Sequence, residues 1–241
     1  MESSLYVSLS GQVAQQKRLE TIARNVANMN TAGYRADGVT FSQILSGRGK
    51  DDVAFASSGT TFISRESGSL NQTGSPLDMA VQGDGWFAMT TPSGTIYSRD
   101  GRMTVNAAGQ LLSVNGYPVQ DEAGQPLAID PQGGSPIIGP DGVLTQDGNQ
   151  LGRVGLFQID PAAKLSRFDN SGVIPDIPAT PVTDYIKNGV VQGYVEGANV
   201  NPILEMTKMM MVQRAFDSAA SAVNAGDANL EQAIKTLGET S

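Results

Sequence analysis

The chain has 241 residues, 28 glycines, 12 prolines, 17% charged residues and a formal net charge of −8. It contains no cysteine and no histidine, which excludes structural disulfides, thiolate metal sites, cysteine nucleophiles and histidine general bases. The acidic balance argues against nucleic acid or an anionic membrane as partner, and no apolar run is long enough to span a bilayer.

Positions 4–30 read as a long helix. Leu5, Leu9, Gln12, Gln16, Leu19, Ala23, Val26 and Asn30 recur at steps of four and three, the seam of a coiled coil, and Val13 and Ile22 widen the stripe. The remaining faces are mostly small or uncharged polar, and Gly11 lowers intrinsic helicity by about 1 kcal/mol. Such a helix is expected to need packing to persist. The first residues lack a positive n-region and an apolar core, so no secretory signal is expected. The helix runs into N-V-A-N-M-N-T-A-G-Y-R at 25–35, where Asn30 and Gly33 tolerate the left-handed geometry that ends a helix. Tyr34 is placed to pack the exit chain.

Positions 36–60 show no strong period and are expected to be an extended connector. From 61 to 194 the period switches to two. Strands are predicted at 61–64, 79–81, 86–89, 95–97, 102–105, 110–112 and 154–159. Turn dipeptides punctuate them: Asp84-Gly85, Asp100-Gly101, Asn115-Gly116, Asp141-Gly142, Asp147-Gly148 and Asn188-Gly189. So much glycine without a repeat agrees with a turn-rich all-β domain, a barrel or a sandwich.

The last forty residues return to a helical period. Asn201 is a capping residue and Pro202 sits at the first helical position, where a missing N–H costs nothing. Glu205 lies in the first turn, favourable to the macrodipole. Met206, Met209, Phe216, Ala220, Val223, Leu230, Ile234 and Leu237 form a second seam. Met209, Met210, Met211 and Val212 are consecutive, so at roughly 100° per residue they point nearly all round the helix, which requires burial on several sides. The fold class expected is α+β, with N- and C-terminal helices paired as a coiled coil around an inserted all-β domain. The divisions are 1–35 (first axial helix), 36–60 (connector), 61–194 (β domain) and 195–241 (second axial helix).

Four motifs carry a resemblance. The start with N-V-A-N-M-N-T-A-G-Y-R at 25–35, P-L-D-M-A-V-Q-G-D-G-W-F at 76–87, Y-S-R-D-G at 97–101 and N-V-N-P-I-L-E-M-T-K-M at 199–209 occur in the order found in bacterial flagellar rod and hook proteins. The chain resembles that axial family, and its start looks most like the proximal-rod members. The resemblance implies a structural subunit of the basal-body rod, with distal-rod or hook proteins as the alternative. It implies self-association into a helical stack, contact with other proximal and distal rod subunits and the rod-capping protein, and passage through the flagellar type III export apparatus. It also implies a place in a rod that spans the periplasm. The assembly surface is expected to include the seam residues Leu5, Leu9, Gln12, Gln16, Leu19 and Val26, with Met206, Met209, Met210, Met211, Phe216, Val223, Leu230 and Ile234. The motif residues Asn28, Asn30, Gly33, Tyr34, Asn199 and Asn201 belong to it as well.

Other chemistry has less support. A lone G-x-G at 83–85 lacks a phosphate lysine and a following helix. Asp78, Asp84 and Asp100 are the nearest candidates for a carboxylate pair, but Asp84 and Asp100 precede glycines in turn signals. Arg99 could bridge to Asp78 across strands, but a surface pair of that kind contributes little. No catalytic residue, metal or cofactor is assigned. A β module that binds a cell-wall component remains the reading from a different functional class.

Overall fold

Glu2–Ala27 form the first helix, α1, in the computed structural model, which describes residues 2–46, 53–57 and 59–238. The hydroxyls of Ser10 and Thr21 donate to carbonyls one turn back, so these two polar groups are satisfied within the helix. Strands β1 (Asp37–Thr40), β2 (Gln43–Ser46), β3 (Val53–Ala56) and β4 (Thr60–Ile63) follow. β1 pairs with β4, and β2 with β3 in antiparallel register. The stretch 36–60, expected as a connector, therefore holds two strand pairings. Its polar, glycine-rich middle hid them, because no residue period marks a short hairpin.

The chain divides into two compact units. The helical unit comprises Met1–Ala27, Asp37–Phe62 and Asn201–Ser241; the β unit comprises Asn28–Ala36 and Ile63–Val200.

Strands β5 (Leu70–Gln72), β6 (Met79–Gln82), β7 (Gly85–Thr91), β8 (Gly94–Ser98), β9 (Met103–Val105) and β10 (Leu111–Ser113) lie in the β unit. They are followed by β11 (Ile137–Ile138), β12 (Val143–Gln146), β13 (Asn149–Arg153), β14 (Leu156–Gln158) and β15 (Leu165–Phe168). The last are β16 (Gly172–Pro175), β17 (Thr180–Pro181), β18 (Gly189–Gln192) and β19 (Tyr194–Glu196). The largest sheet is open and six-stranded, in the order β15-β16-β8-β7-β14-β17. No barrel closes among the described residues: the sheet ends at β15 and β17, and the other strands form separate two- and three-stranded ladders. Alternation in single strands marks faces, and closure depends on edge pairing that the pattern does not encode.

β7 is buried on both faces. Phe87 and Met89 join the main core with Met79, Leu111, Val119, Leu144, Val154 and Leu156. Trp86 faces a second cluster with Ile159, Ala163 and Val173. Asp147 and Gly148, both with positive φ, turn β12 into β13 as a two-residue loop, the geometry expected of Asp-Gly. Asp100-Gly101 is different. It is buried, and a Cβ on Gly101 would meet the Met79 carbonyl oxygen, so this glycine serves close backbone approach and not a hairpin.

Gly33 combines both demands, with φ of 67° and a position where a Cβ would lie 2.1 Å from the backbone nitrogen of Asp100. Gly33→Ala is expected to destabilise the β unit by about 2 kcal/mol or more, from the left-handed backbone and the clash together. Thermal unfolding measures it, and an unchanged midpoint would refute the close packing.

The second helix, α2, spans Pro202–Gly238 and is about 55 Å long at 1.5 Å per residue. The Asn201 side-chain oxygen accepts from the Leu204 N–H at 3.1 Å, and the Glu205 N–H donates to the Asn201 carbonyl. α1 packs against α2, β1 and β3 within the helical unit.

Candidate assembly interface

The helical unit buries a different set of positions from the expected seams. Thr21, Ile22 and Asn25 of α1 and Glu205 and Val212 of α2 are buried. Of the seam, Leu9 is 50% exposed and Met206 46%, Gln16 is exposed, and Gln12, Leu19, Val26, Met209 and Phe216 are half-buried. The side chains of Leu5, Val223, Leu230 and Ile234 lie outside the described residues. Asn25 explains the rotation. Its side-chain oxygen accepts from the Asp37 N–H at 2.8 Å, and its amide donates to the Asp37 carbonyl and to Glu205 Oε2. A satisfied amide occupies the inner face, and Leu9 and Met206 turn outward.

The first turns of α2 carry a run of exposed apolar side chains. Ile203 is 79% exposed, Leu204 50%, Met210 52% and Met211 57%. Asn30 is exposed and Asn28 half-buried, with its side-chain oxygen accepting from the Thr31 hydroxyl.

Tyr34, Gly33 and Asn199 have internal positions instead. Tyr34 is fully buried in the β unit beneath the Arg167 guanidinium, 4.5 Å from its ring centroid. Asn199 accepts from the Ala36 N–H at 2.7 Å and donates to the Ser64 hydroxyl and the Glu66 carbonyl. The Gly33 N–H donates to the Glu196 carbonyl, and the Asn199 N–H to the Tyr34 carbonyl. The segments 33–36 and 196–199 are thus stitched together inside one unit.

A buried charge cluster lies beneath that stitch. The Glu196 carboxylate, fully buried, pairs with Arg35 on one oxygen and Arg99 on the other. It also accepts from the Gly68 N–H at 2.8 Å. The guanidinium carbons of Arg35 and Arg99 lie 5.5 and 5.2 Å from the Trp86 ring. Burial pulls the Arg99 pKa down to about 10, outweighing the attraction of Glu196, and the like charge of Arg35 pulls the same way. Arg99 therefore stays charged at neutral pH, and the cost of burying that charge is relieved only as pH rises above about 10. The bridge from Arg99 to Asp78 does not form; Glu196 takes the guanidinium instead. Two of the carboxylates weighed for catalysis have structural contacts: Asp100 is held by Arg102 at 2.7 Å, and the Asp84 N–H donates to the Asn188 side chain.

Three family models match in chain order. Residues 5–35 match the flagella basal body rod protein model, residues 80–146 the D1 domain of the flagellar hook proteins FlgE/F/G, and residues 191–236 the C-terminal model of the flagellar basal body rod FlgEFG proteins. The flagellar basal-body rod protein FlgF of Mesorhizobium japonicum is 49% identical over 241 residues, covering all of both chains. The chain belongs to the flagellar basal-body rod family. FlgF of Rhizobium meliloti is 42% identical over 99% of each chain, and FlgG of Bacillus subtilis is 30% identical over 97% of this chain and 98% of the other.

As a member of the rod family the chain is a structural subunit of the flagellar basal-body rod, and its partners are other flagellar components. Among the described residues no helix is long and apolar enough to cross a membrane. The buried cluster draws one residue or more from each matched segment: Arg35 from the first, Trp86 and Arg99 from the second, Glu196 from the third. Sequence reasoning did not select it, because charged residues read as surface. Arg35 closes the N-x-N-T-x-G-Y-R motif and Arg99 sits inside Y-S-R-D-G, so their motif positions were the available signal.

Proposed function

We propose that the chain is a proximal-rod subunit whose two terminal helices pack with those of neighbouring subunits into an inner helical tube. The β unit lies outside that tube, and torque passes through many buried contacts with no catalytic step. The proximal position is supported by higher identity to relatives named FlgF than to those named FlgG. Subunits reach the rod, within the periplasm, through the flagellar type III export apparatus and meet the rod-capping protein and adjacent rod subunits there.

The observation that carries this reading is the exposed apolar band at 203–211. Monomeric proteins rarely leave a contiguous band of this kind in water, and such surfaces mark interaction sites. Methionine suits a helix that must fit several different neighbours, because its side chain fills irregular gaps.

Hydrogen exchange on the dilute monomer and on isolated rods tests it. In the monomer, the amides of 2–27 and 202–238 are expected to exchange far faster than those of β7, β8 and β14. The amides of Gly33, Ala36 and Asn199 are expected to exchange with the β core, since their acceptors lie in that unit. In rods the helical amides become protected. Equal protection of the helices in a proven monomer and in rods would overturn the proposal.

A further inference from the structure

The helical unit carries both a groove and an unpartnered ridge. The groove has a volume of about 580 Å³; its apolar lining includes Ile22, Phe62 and Val212, and its charged lining includes Arg18 and the paired Glu205 and Lys208. Arg18 is exposed, rests over the Phe41 ring at 5.4 Å, and has no acidic partner among the described residues. The ridge is on α2. Ile203, Met206 and Met210, 79%, 46% and 52% exposed, recur at steps of three and four, and the exposed Asp217 continues the same line. At 100° per residue, the ridge is centred roughly 180° around α2 from the positions that line the groove.

We infer that the groove of one copy receives the Ile203–Met206–Met210 ridge of a second copy, with Asp217 of the second copy opposite Arg18. This inference rests on the rod-subunit reading and names the partner of its apolar band. Three features support the occupant. The groove has room for several apolar side chains, and the ridge offers three in one line. The Asp217 carboxylate and the Arg18 guanidinium are opposite charges that lack ionic partners among the described residues. The ridge and groove lie on opposite sides of one helix, so the contact is heterologous. Each copy that fills a groove presents its own groove to the next, which gives an open stack.

The test uses the full chain in cells whose own copy of the gene is deleted. Arg18→Asp and Asp217→Arg, singly, are each expected to lower the amount of chain recovered in isolated rods about ten-fold, as for a close interfacial charge pair. The double variant, with the charges exchanged, is expected to recover most of it. Because the chain has no cysteine, Phe62→Cys combined with Met210→Cys gives an independent readout: oxidised rods should contain disulfide-linked multimers of the chain. A double charge variant no better than the worse single variant, together with no linked multimers, would overturn the groove assignment. If the wild-type chain is present in those rods, the rod-subunit reading stands in that outcome. Absence of the wild-type chain from rods would overturn both.

Discussion

Replacing Met210 by aspartate is expected to remove the chain from rods and abolish swimming while the β unit stays folded. Met210 is 52% exposed in the isolated chain, so a charge there is solvated and is expected to change monomer stability by no more than about 0.5 kcal/mol. In an assembly that buries the band, the same carboxylate loses its water and replaces an apolar contact. An unpaired charge transferred from water costs several kcal/mol even after relaxation. Ile203 and Met206 share its ridge and are exposed with it. Soft-agar swimming, the amount of chain in purified rods and a thermal melt of the purified variant together check this. Normal swimming would refute an assembly role for the band, and a collapsed melt would mean the residue serves the isolated fold.

The second large effect is expected at Glu196. Glu196→Ala leaves Arg35 and Arg99 buried side by side with no carboxylate between them. Removing one partner of a buried pair typically costs about 3–5 kcal/mol, and this removal strands two like charges. For a unit of this size the midpoint should fall by roughly 10 °C. Arg99→Met should cost less, because it leaves the Arg35–Glu196 pair balanced and substitutes a side chain of comparable length. The order of effects, with Glu196→Ala worse than Arg99→Met, distinguishes charge balance from simple packing. Trp86 is the only tryptophan and lies against both guanidiniums, so its fluorescence reports the cluster directly. An Arg99→Met variant as unstable as Glu196→Ala would show that the Trp86 and Gly83 contacts of Arg99 dominate.

The start of α2 was legible because single residues dictate it: Asn201-Pro202 starts the helix where the cap geometry requires. The end of α1 was not, since the helix stops at Ala27, ahead of Asn30 and Gly33, and the positive φ of Gly33 serves close packing in the β unit. The strands at 79–81, 86–89, 95–97 and 110–112 were legible from alternation and flanking Asp-Gly or Asn-Gly turns. The order of the six-stranded sheet was not, since pairing of β14 with β7 and of β16 with β8 joins strands distant in sequence. At the interface, the exposed methionines were read from their consecutive placement, which no single partner helix can cover. The seam was misaligned by Asn25: a polar residue reads as outward, and only its three hydrogen bonds to Asp37 and Glu205 reveal it as inward. Tyr34 and Asn199 were read as contact residues because they belong to motifs. They hold the β unit together, so the motifs mark internal ties as well as surface.

The stitch between 33–36 and 196–199 also sets when the β unit can finish folding. Its two halves come from opposite ends of that unit, so their union closes nearly the whole intervening chain into one loop. Closing a loop of this length carries an entropic cost that grows with the logarithm of its size, and it precedes any gain from the buried charges. Such high contact order predicts folding on a millisecond-to-second scale. A chain delivered from either end remains incomplete until most of it has emerged. Emergence of the chain and completion of the fold are thereby separated in time by topology.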